Sequence, residues 1–278
     1  MPVDAPPDPM TSETPPTRRG EMPFLDHLEE LRWRILWSLL AIVVGSVIGF
    51  LLVHYLGVME ILIRPIKPLM PEGQLLKFFS PADPFFITLK LALVVGIILA
   101  FPVVVYQVWG FMSPALEKHE KRVIIPALYM GLVLFSAGVA MAYFLALPLS
   151  LIFLMGFQAE YLEQSIEVGR YLGFVTRLLV AFGIVFELPV VVMILSALGL
   201  VTPDFLKSKR RHAIVAITVV ASLLSPGDVI TVTVLMMAPL ILLYEFSIVL
   251  SRFIYRRREK AEELSASQDP PSGAVEAG

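Results

Sequence analysis

Three glutamates in unusual surroundings are the residues of this chain whose chemistry could serve a function. Glu187 lies in the segment 186–189, near the middle of the apolar block 171–200. A charge at the centre of a membrane span costs at least about 2.5 kcal/mol, so we expect this carboxylate to line a polar cavity or to meet a group from another helix or chain. Arg177 cannot be that partner, because a separation of ten residues places it about 15 Å away along a helix axis. A purely structural role for Glu187 remains the alternative.

Glu30 and Glu120 lie in two segments that border apolar blocks. The segment 24–34 carries Phe24 and three leucines on one helical face and charged residues on the rest, which predicts an amphipathic helix lying on the membrane surface. The segment 106–122 places aromatic residues and acids together just after the second apolar block. Ordinary roles remain open for both segments: a surface anchor for the first, and for the second belt aromatics with a solvated loop charge.

The elements that position these acids are predicted to be membrane spans. The chain has 278 residues, of which 57% are hydrophobic and 17% charged, whereas soluble domains are about half apolar and about a quarter charged. The apolar residues form six blocks, at 35–55, 85–108, 123–149, 171–200, 213–224 and 229–250. About 20 residues are needed to cross about 30 Å of hydrocarbon. Since the fifth block is shorter, we expect the last two blocks to form a short hairpin across a locally thinned bilayer, turning at Ser225–Asp228.

The distribution of lysine and arginine indicates the orientation of these spans. When the N-terminus is placed in the cytoplasm, most of the 22 lysine and arginine residues fall on the cytoplasmic side. This bias supports both termini inside. The longest outer loop, 56–84, contains five prolines, which predict a stiff cap and not a helix. Prolines inside the blocks, such as Pro102 and Pro189, predict kinked helices that build a curved surface.

The composition argues against most enzyme chemistry. The chain has no cysteine, which excludes disulfides, thiol catalysis and thiolate metal sites, and its four histidines have no metal-ligand spacing. No nucleotide-binding or hydrolase motif occurs. We therefore expect a protein that binds other polypeptides and not an enzyme, with no metal, no cofactor and no nucleic-acid partner. Residues 1–20 and 259–278 are expected to be disordered cytoplasmic tails around a membrane domain at 21–258.

Five segments, taken in order, carry a family resemblance. They are Phe24–Arg34, Ser80–Phe86, Tyr106–Glu120, Phe186–Pro189 and Ser225–Asp228. With six apolar blocks at these spacings the chain resembles the TatC family, the large subunit of the twin-arginine protein translocase, from about residue 24 to about residue 258. The resemblance implies an all-α polytopic membrane protein with six transmembrane helices in a cupped, concave arrangement. It also implies that the last two helices are short and that both termini are cytoplasmic.

The resemblance implies a function in protein export. The family binds the twin-arginine signal peptides of folded cargo proteins, self-associates in a receptor complex and recruits single-span subunits of the TatA/TatB type. Export across the cytoplasmic (inner) membrane is driven by the proton motive force. The alternative from another class is a proton-coupled secondary transporter of small solutes, which Glu187 and broken helices would suit. Against that alternative, the six spans show no internal repeat.

The resemblance also implies which residues act. Signal-peptide binding is implied for Glu120, Glu30, Phe111, Arg32 and Leu116. Carboxylates suit an arginine pair because guanidinium groups bind them bidentately, whereas Arg32 is expected to support the cytoplasmic surface because like charges repel. Glu187 and Asp228 are implied polar contacts for a partner or an inserted signal, and Pro65 is an implied structural position of the outer cap. A position that is often glutamine in the family is Val232 here, which puts a polar partner contact at that position in doubt.

Overall fold

The computed structural model describes residues 22–112, 121–156, 165–224 and 230–268, and within these ranges the chain is helical apart from turns, bends and one isolated backbone bridge. The α-helices are α1 (Met22–Tyr55), α2 (Val58–Ile63), α3 (Asp83–Met112), α4 (Lys121–Met141), α5 (Leu147–Gly156), α6 (Val168–Val185), α7 (Leu188–Ala197), α8 (Pro203–Ser208), α9 (Arg210–Leu224) and α10 (Ile230–Gln268). A 3₁₀ helix covers Lys67–Leu69, and a π-helical turn at Ala142–Ala146 joins α4 to α5.

Five helical stretches in the described ranges are long and apolar enough to cross a membrane. They are His27–Tyr55, Asp83–Met112, Pro126–Gly156, Val168–Ala197 and Val232–Arg256. The sixth crossing is α9, whose 15 residues correspond to about 22 Å of helix, less than the hydrocarbon thickness of about 30 Å. The prediction of an all-α polytopic membrane protein with six spans is confirmed. Of the last two helices α9 is short, as predicted, whereas α10, with 39 residues, is the longest of the described helices.

An ion pair joins the two helices of the final hairpin. Arg210, the first residue of α9, pairs with Glu245 of α10 at 2.6 Å between Nη2 and Oε2. The pair ties the start of α9 to a position 15 residues after the start of α10, so the two helices lie side by side over about the length of α9. The hydroxyl of Tyr244 donates to the carbonyl of Leu206 at 2.7 Å and so ties the hairpin to α8. The turn expected at 225–228 lies outside the described residues.

The start of α1 and the end of α10 differ from the sequence-based predictions. The segment 24–34 is helical, but it is continuous with the first span in the 34-residue helix α1, so it extends that span and is not a separate surface helix. Helix α10 continues to Gln268, ten residues beyond the predicted end of the membrane domain at 258. That segment is rich in Lys, Ala, Glu and Leu, which are strong helix formers. A helix that is already nucleated extends through such residues at little cost.

The loop 56–84, predicted to form a cap, contains a helix that the sequence did not predict. Helix α2 occupies Val58–Ile63, ahead of the prolines, and the turn that follows it holds Pro65. The tyrosine hydroxyls of Tyr143 and Tyr171 donate to the carbonyls of Ile61 and Leu62 at 2.7 and 2.8 Å. These bonds satisfy carbonyl groups at the end of α2 and fix the cap to the spans. Prolines terminate the helix here but do not prevent it.

Glycines let the spans that carry the acids approach closely. A methyl group at Gly45 of α1 would lie 2.6 Å from the carbonyl oxygen of Gly96 on α3, and Gly49, one turn further, meets the carbonyl of Ala92. Small residues four apart are typical of close helix pairs in membranes. On α4, a methyl group at Gly138 would lie 2.7 Å from the carbonyl oxygen of Phe182. The pairs α1–α3 and α4–α6 are therefore packed with backbone against backbone.

Candidate functional site

Glu30 lies in a hydrogen-bonded cluster between the start of α1 and the end of α3. Its Oε1 atom accepts from Nε of Arg34 at 2.9 Å and from Nη2 at 2.6 Å. The Nη1 atom of Arg34 donates to Oε1 of Gln107 at 3.3 Å. The other carboxylate oxygen, Oε2, lies 3.8 Å from Nδ1 of His27, and the Glu30 side chain is 31% exposed. One oxygen is thus fixed by Arg34, while the other has room for a further donor.

Aromatic packing closes the same cluster. The ring of Phe111 stacks on the imidazole of His27, with centroids 4.3 Å apart and planes 16° from parallel. Gly110 lies beside it, and a methyl group there would overlap the guanidinium of Arg34, which would have to move. Arg32 is exposed and lies about 200° around the helix from Glu30, on the opposite face of α1. The structure therefore brings Glu30 and Phe111 together and leaves Arg32 apart from them.

Three of the predicted site residues cannot be placed. Glu120 and Leu116 fall in the segment 113–120, and Asp228 falls in the segment 225–229, both outside the described residues. Their roles remain predictions from the resemblance. Pro65 is half-buried in the turn between α2 and the 3₁₀ helix, and its structural role in the cap remains a prediction.

A second acid at this end of the bundle is already neutralised. Asp204 of α8 accepts a hydrogen bond from Nζ of Lys207 at 2.9 Å. This bond and the charge of Lys207 hold the pKa of the Asp204 carboxyl below its ordinary value. The neighbouring segment 209–211 carries three further lysine and arginine residues on an exposed surface. Asp204 therefore belongs to this basic surface, where its exposed carboxylate pairs with Lys207 through Oδ1.

Glu187 lies at a break in the fourth span. Helix α6 ends at Val185 and α7 begins at Leu188, so Phe186 and Glu187 form a turn within what the sequence predicted as one block. The carbonyl of Glu187 accepts from the backbone N–H groups of Val190 and Val191, both at 3.0 Å. Pro189, which lacks a backbone N–H, lies in the first turn of α7, where a donor is not needed. The predicted kink at this proline is thus a two-residue turn, and Glu187 is the N-cap residue of α7.

The Glu187 carboxylate rests against Gly131 of α4. A methyl group at Gly131 would lie 3.0 Å from Oε2 and 3.4 Å from Oε1, so this glycine leaves the space that the carboxylate fills. The Oε1 atom is buried, and within the described part of the chain no hydrogen-bond donor reaches it. Buried carboxylate oxygens are normally hydrogen-bonded. Oε1 of Glu187 is therefore a hydrogen-bond acceptor whose donor is not among the described residues.

Several residues of these sites were missed in the sequence. Arg34 is four residues after Glu30, a spacing at which helical charges pair, so it could have been found. Gln107 and Gly131 carry no local signal, because each meets its partner through contacts between distant parts of the chain. Val232 is buried in the apolar core, so the structure offers no polar contact at that position.

The fold and the two acidic sites define a class: a helical membrane protein with one carboxylate at an end of the bundle and another within a broken span. Residues 26–239 match the family model described as Sec-independent protein translocase protein (TatC). The chain belongs to the TatC family.

Relatives match over nearly the whole membrane domain. The Sec-independent protein translocase protein TatC of Aquifex aeolicus is 42% identical over 244 residues, which cover 87% of this chain and all of that protein. The protein of the same name from Escherichia coli K12 is 37% identical over 87% of this chain and 92% of its own length. A crystal structure of the twin-arginine translocase receptor TatC superposes with a TM-score of 0.73 at 44% identity, covering 82% of this chain and 99% of that one.

Proposed function

We propose that this chain is the signal-peptide receptor and core subunit of a twin-arginine protein translocase, which exports folded proteins across the cytoplasmic membrane. Full-length similarity to translocase proteins and to a receptor of that name supports this function. The structural observation that supports this function is the cluster around Glu30, where a carboxylate with one accessible oxygen is fixed beside the stacked rings of His27 and Phe111. Export then uses the proton motive force, and the chain itself performs no enzyme chemistry.

The proposed topology places both termini in the cytoplasm. The first turns of α1, the end of α3, the segment 113–120 and the start of α9 then share the cytoplasmic side, and the α2 cap lies outside. The excess of lysine and arginine at the same end supports this orientation.

Recognition of the signal peptide is proposed to use Glu30 as a shared carboxylate. Arg34 holds Oε1, and an incoming guanidinium donates to Oε2 in the space beside His27. Glu120 binds the second arginine of the pair, with Leu116 and Phe111 contacting apolar residues next to it. Guanidinium groups are preferred over ammonium groups because their planar forks match carboxylate oxygens. Arg32, on the opposite face of α1, supports the cytoplasmic surface.

The intramembrane acid is proposed to receive a donor from another polypeptide. Oε1 of Glu187 accepts a hydrogen bond from a polar side chain of another polypeptide. The donor belongs to a single-span TatA/TatB-type subunit or to an inserted signal peptide, and the bond offsets the cost of the buried, unpaired oxygen. Asp228 contributes a second polar contact at the outer turn of the final hairpin. Self-association of the chain then gives a receptor complex with several such sites.

Photo-cross-linking tests this proposal and its topology together. A photoreactive phenylalanine analogue is placed at Phe111, and in a matched variant at Tyr55, an exposed aromatic residue at the other end of α1. Membranes with each variant receive a folded cargo carrying a twin-arginine signal or its Lys-Lys variant. We expect cross-links from position 111 only, and only to the twin-arginine signal. Cross-links from position 55 alone, or equal cross-links to both signals, would contradict the proposal.

The alternative of a small-solute transporter finds no support among the relatives, which are named as translocase proteins. Uptake of small solutes by proteoliposomes that contain the purified chain remains the measurement that would revive it.

A further inference from the structure

Two cationic side chains lie within membrane spans, where a charge requires a reason. Lys90 is on α3 and Arg177 is on α6, both inside stretches that cross the membrane, and both are exposed on the protein surface. The ion pairs formed by the described residues include neither of them. Ionisable residues in spans are costly and mark functional positions by default. Neither residue belongs to the carboxylate sites described above.

The two cations converge on one surface. A methyl group at Gly173 of α6 would lie 3.2 Å from Nζ of Lys90, so the ammonium of α3 lies across α6 at this glycine. Arg177 is four residues after Gly173, on the same face of α6 and about 6 Å away. The guanidinium and the ammonium can therefore contact a single anion between α3 and α6.

Both side chains lean towards the same membrane surface. Lys90 is seven residues from the start of α3 and Arg177 is nine residues from the start of α6, which is about 10 Å and about 13 Å of helix. Helical side chains tilt towards the N-terminus of their helix. Since the two helices begin at the end of the bundle that carries the α2 cap, both long side chains extend towards that surface, as cations in spans do.

Three of the described acids near that end are already engaged. Glu60 pairs with Lys67 at 3.3 Å, and Glu167 pairs with Arg170 at 2.8 Å. Asp83 accepts two backbone N–H groups at the start of α3, at 3.1 and 2.8 Å. The anion that meets the two intramembrane cations is therefore to be sought outside these carboxylates.

We propose that Lys90 and Arg177 bind the phosphodiester headgroup of an anionic glycerophospholipid in the leaflet at the cap end. Arginine forks onto phosphate oxygens and lysine adds a point charge. Large apolar side chains of α3 flank Lys90 and are exposed at Phe86, Leu89 and Leu93, where acyl chains would lie. Headgroup binding in basic pockets between spans is physically favourable. This combination of two cations and an apolar border fits a lipid better than the carboxylate of a partner helix.

Native mass spectrometry of the purified full chain in detergent tests the proposal. The protein is mixed with dioleoyl phosphatidylglycerol or, separately, with dioleoyl phosphatidylcholine, which has the same acyl chains and no net charge. We expect tighter retention of phosphatidylglycerol by the unaltered chain. Lys90→Gln and Arg177→Gln should each weaken it about fivefold, and the double variant about 25-fold, the effect of one surface cation each. The Lys90→Arg variant should retain most of the binding.

The matched control is Arg64→Gln, which removes an exposed cation from the cap. It should leave phosphatidylglycerol binding unchanged, with thermal unfolding confirming that all variants are folded. An equal loss in Arg64→Gln, or no preference of the unaltered chain for phosphatidylglycerol, would overturn the proposal. Competition by inorganic phosphate at equal concentration would also overturn it, because the site would then take free anions and not lipid.

Discussion

The carboxylates of Glu30 and Glu187 have opposite surroundings. Glu30, at the end of the bundle, has one oxygen held by two donors of Arg34 and a second oxygen beside His27. Glu187, within a broken span, has a buried oxygen that no donor from the described residues reaches. A carboxylate at the protein surface can be positioned by a neighbouring side chain and still bind a ligand. A buried carboxylate without a hydrogen bond is costly, so a partner that donates one stabilises it. The first arrangement favours recognition and the second favours assembly.

Removal of the intramembrane carboxylate of Glu187 should have the largest effect on export. We expect Glu187→Leu to lower export of a folded reporter at least about tenfold, because a hydrogen bond to a charged group contributes about 1.5–3 kcal/mol. Glu187→Gln keeps an acceptor oxygen and should retain much more export. Export by the two variants at equal membrane abundance is the measurement. Full activity of Glu187→Leu would remove this residue from the site.

A substitution beside Glu187 tests whether the position of its carboxylate matters for export. In Gly131→Ala a methyl group would approach Oε2 to 3.0 Å, so we expect export to fall several-fold although alanine favours the helix. Gly156→Ala is the control, because nothing lies within 4 Å of its added methyl group. The control should export normally. Thermal unfolding separates a local effect on Glu187 from loss of the fold, and equal export by both variants would argue against a shaped site.

Arg34 tests whether Glu30 is held in place by its neighbour. Removing a cation should by charge alone favour binding of a cationic peptide. We expect the opposite for Arg34→Gln, a loss of about threefold in signal-peptide affinity, because the carboxylate would lose its fixed position. Arg211→Gln removes an exposed cation elsewhere on the same side and should not weaken binding. A gain in affinity for Arg34→Gln would show that Arg34 only competes with the signal.

The sequence predicted the spans because hydropathy is a local property, and it drew attention to Glu187 because a single acid in an apolar block is conspicuous. It did not predict the break at Phe186 and Glu187, since Pro189 allows either a kink or an interruption and the packing against α4 decides. Gln107, which meets Arg34 across 73 positions, was equally invisible. Helix α2 was missed because proline content was averaged over the loop 56–84, although Val58–Ile63 contains none. The family resemblance supplied roles that periodicity alone could not.

Signal-peptide binding by Glu30→Gln tests the central claim most directly. The neighbouring Glu29→Gln is the control, because Glu29 is exposed and carries the same charge one position away. Affinities of the purified chain for a twin-arginine peptide and for its Lys-Lys variant are measured by calorimetry. We expect Glu30→Gln to weaken twin-arginine binding about fivefold or more, with a smaller effect on the Lys-Lys peptide, and Glu29→Gln to change neither. Equal losses for the two variants, or for the two peptides, would show that charge near the membrane and not the placed carboxylate is recognised.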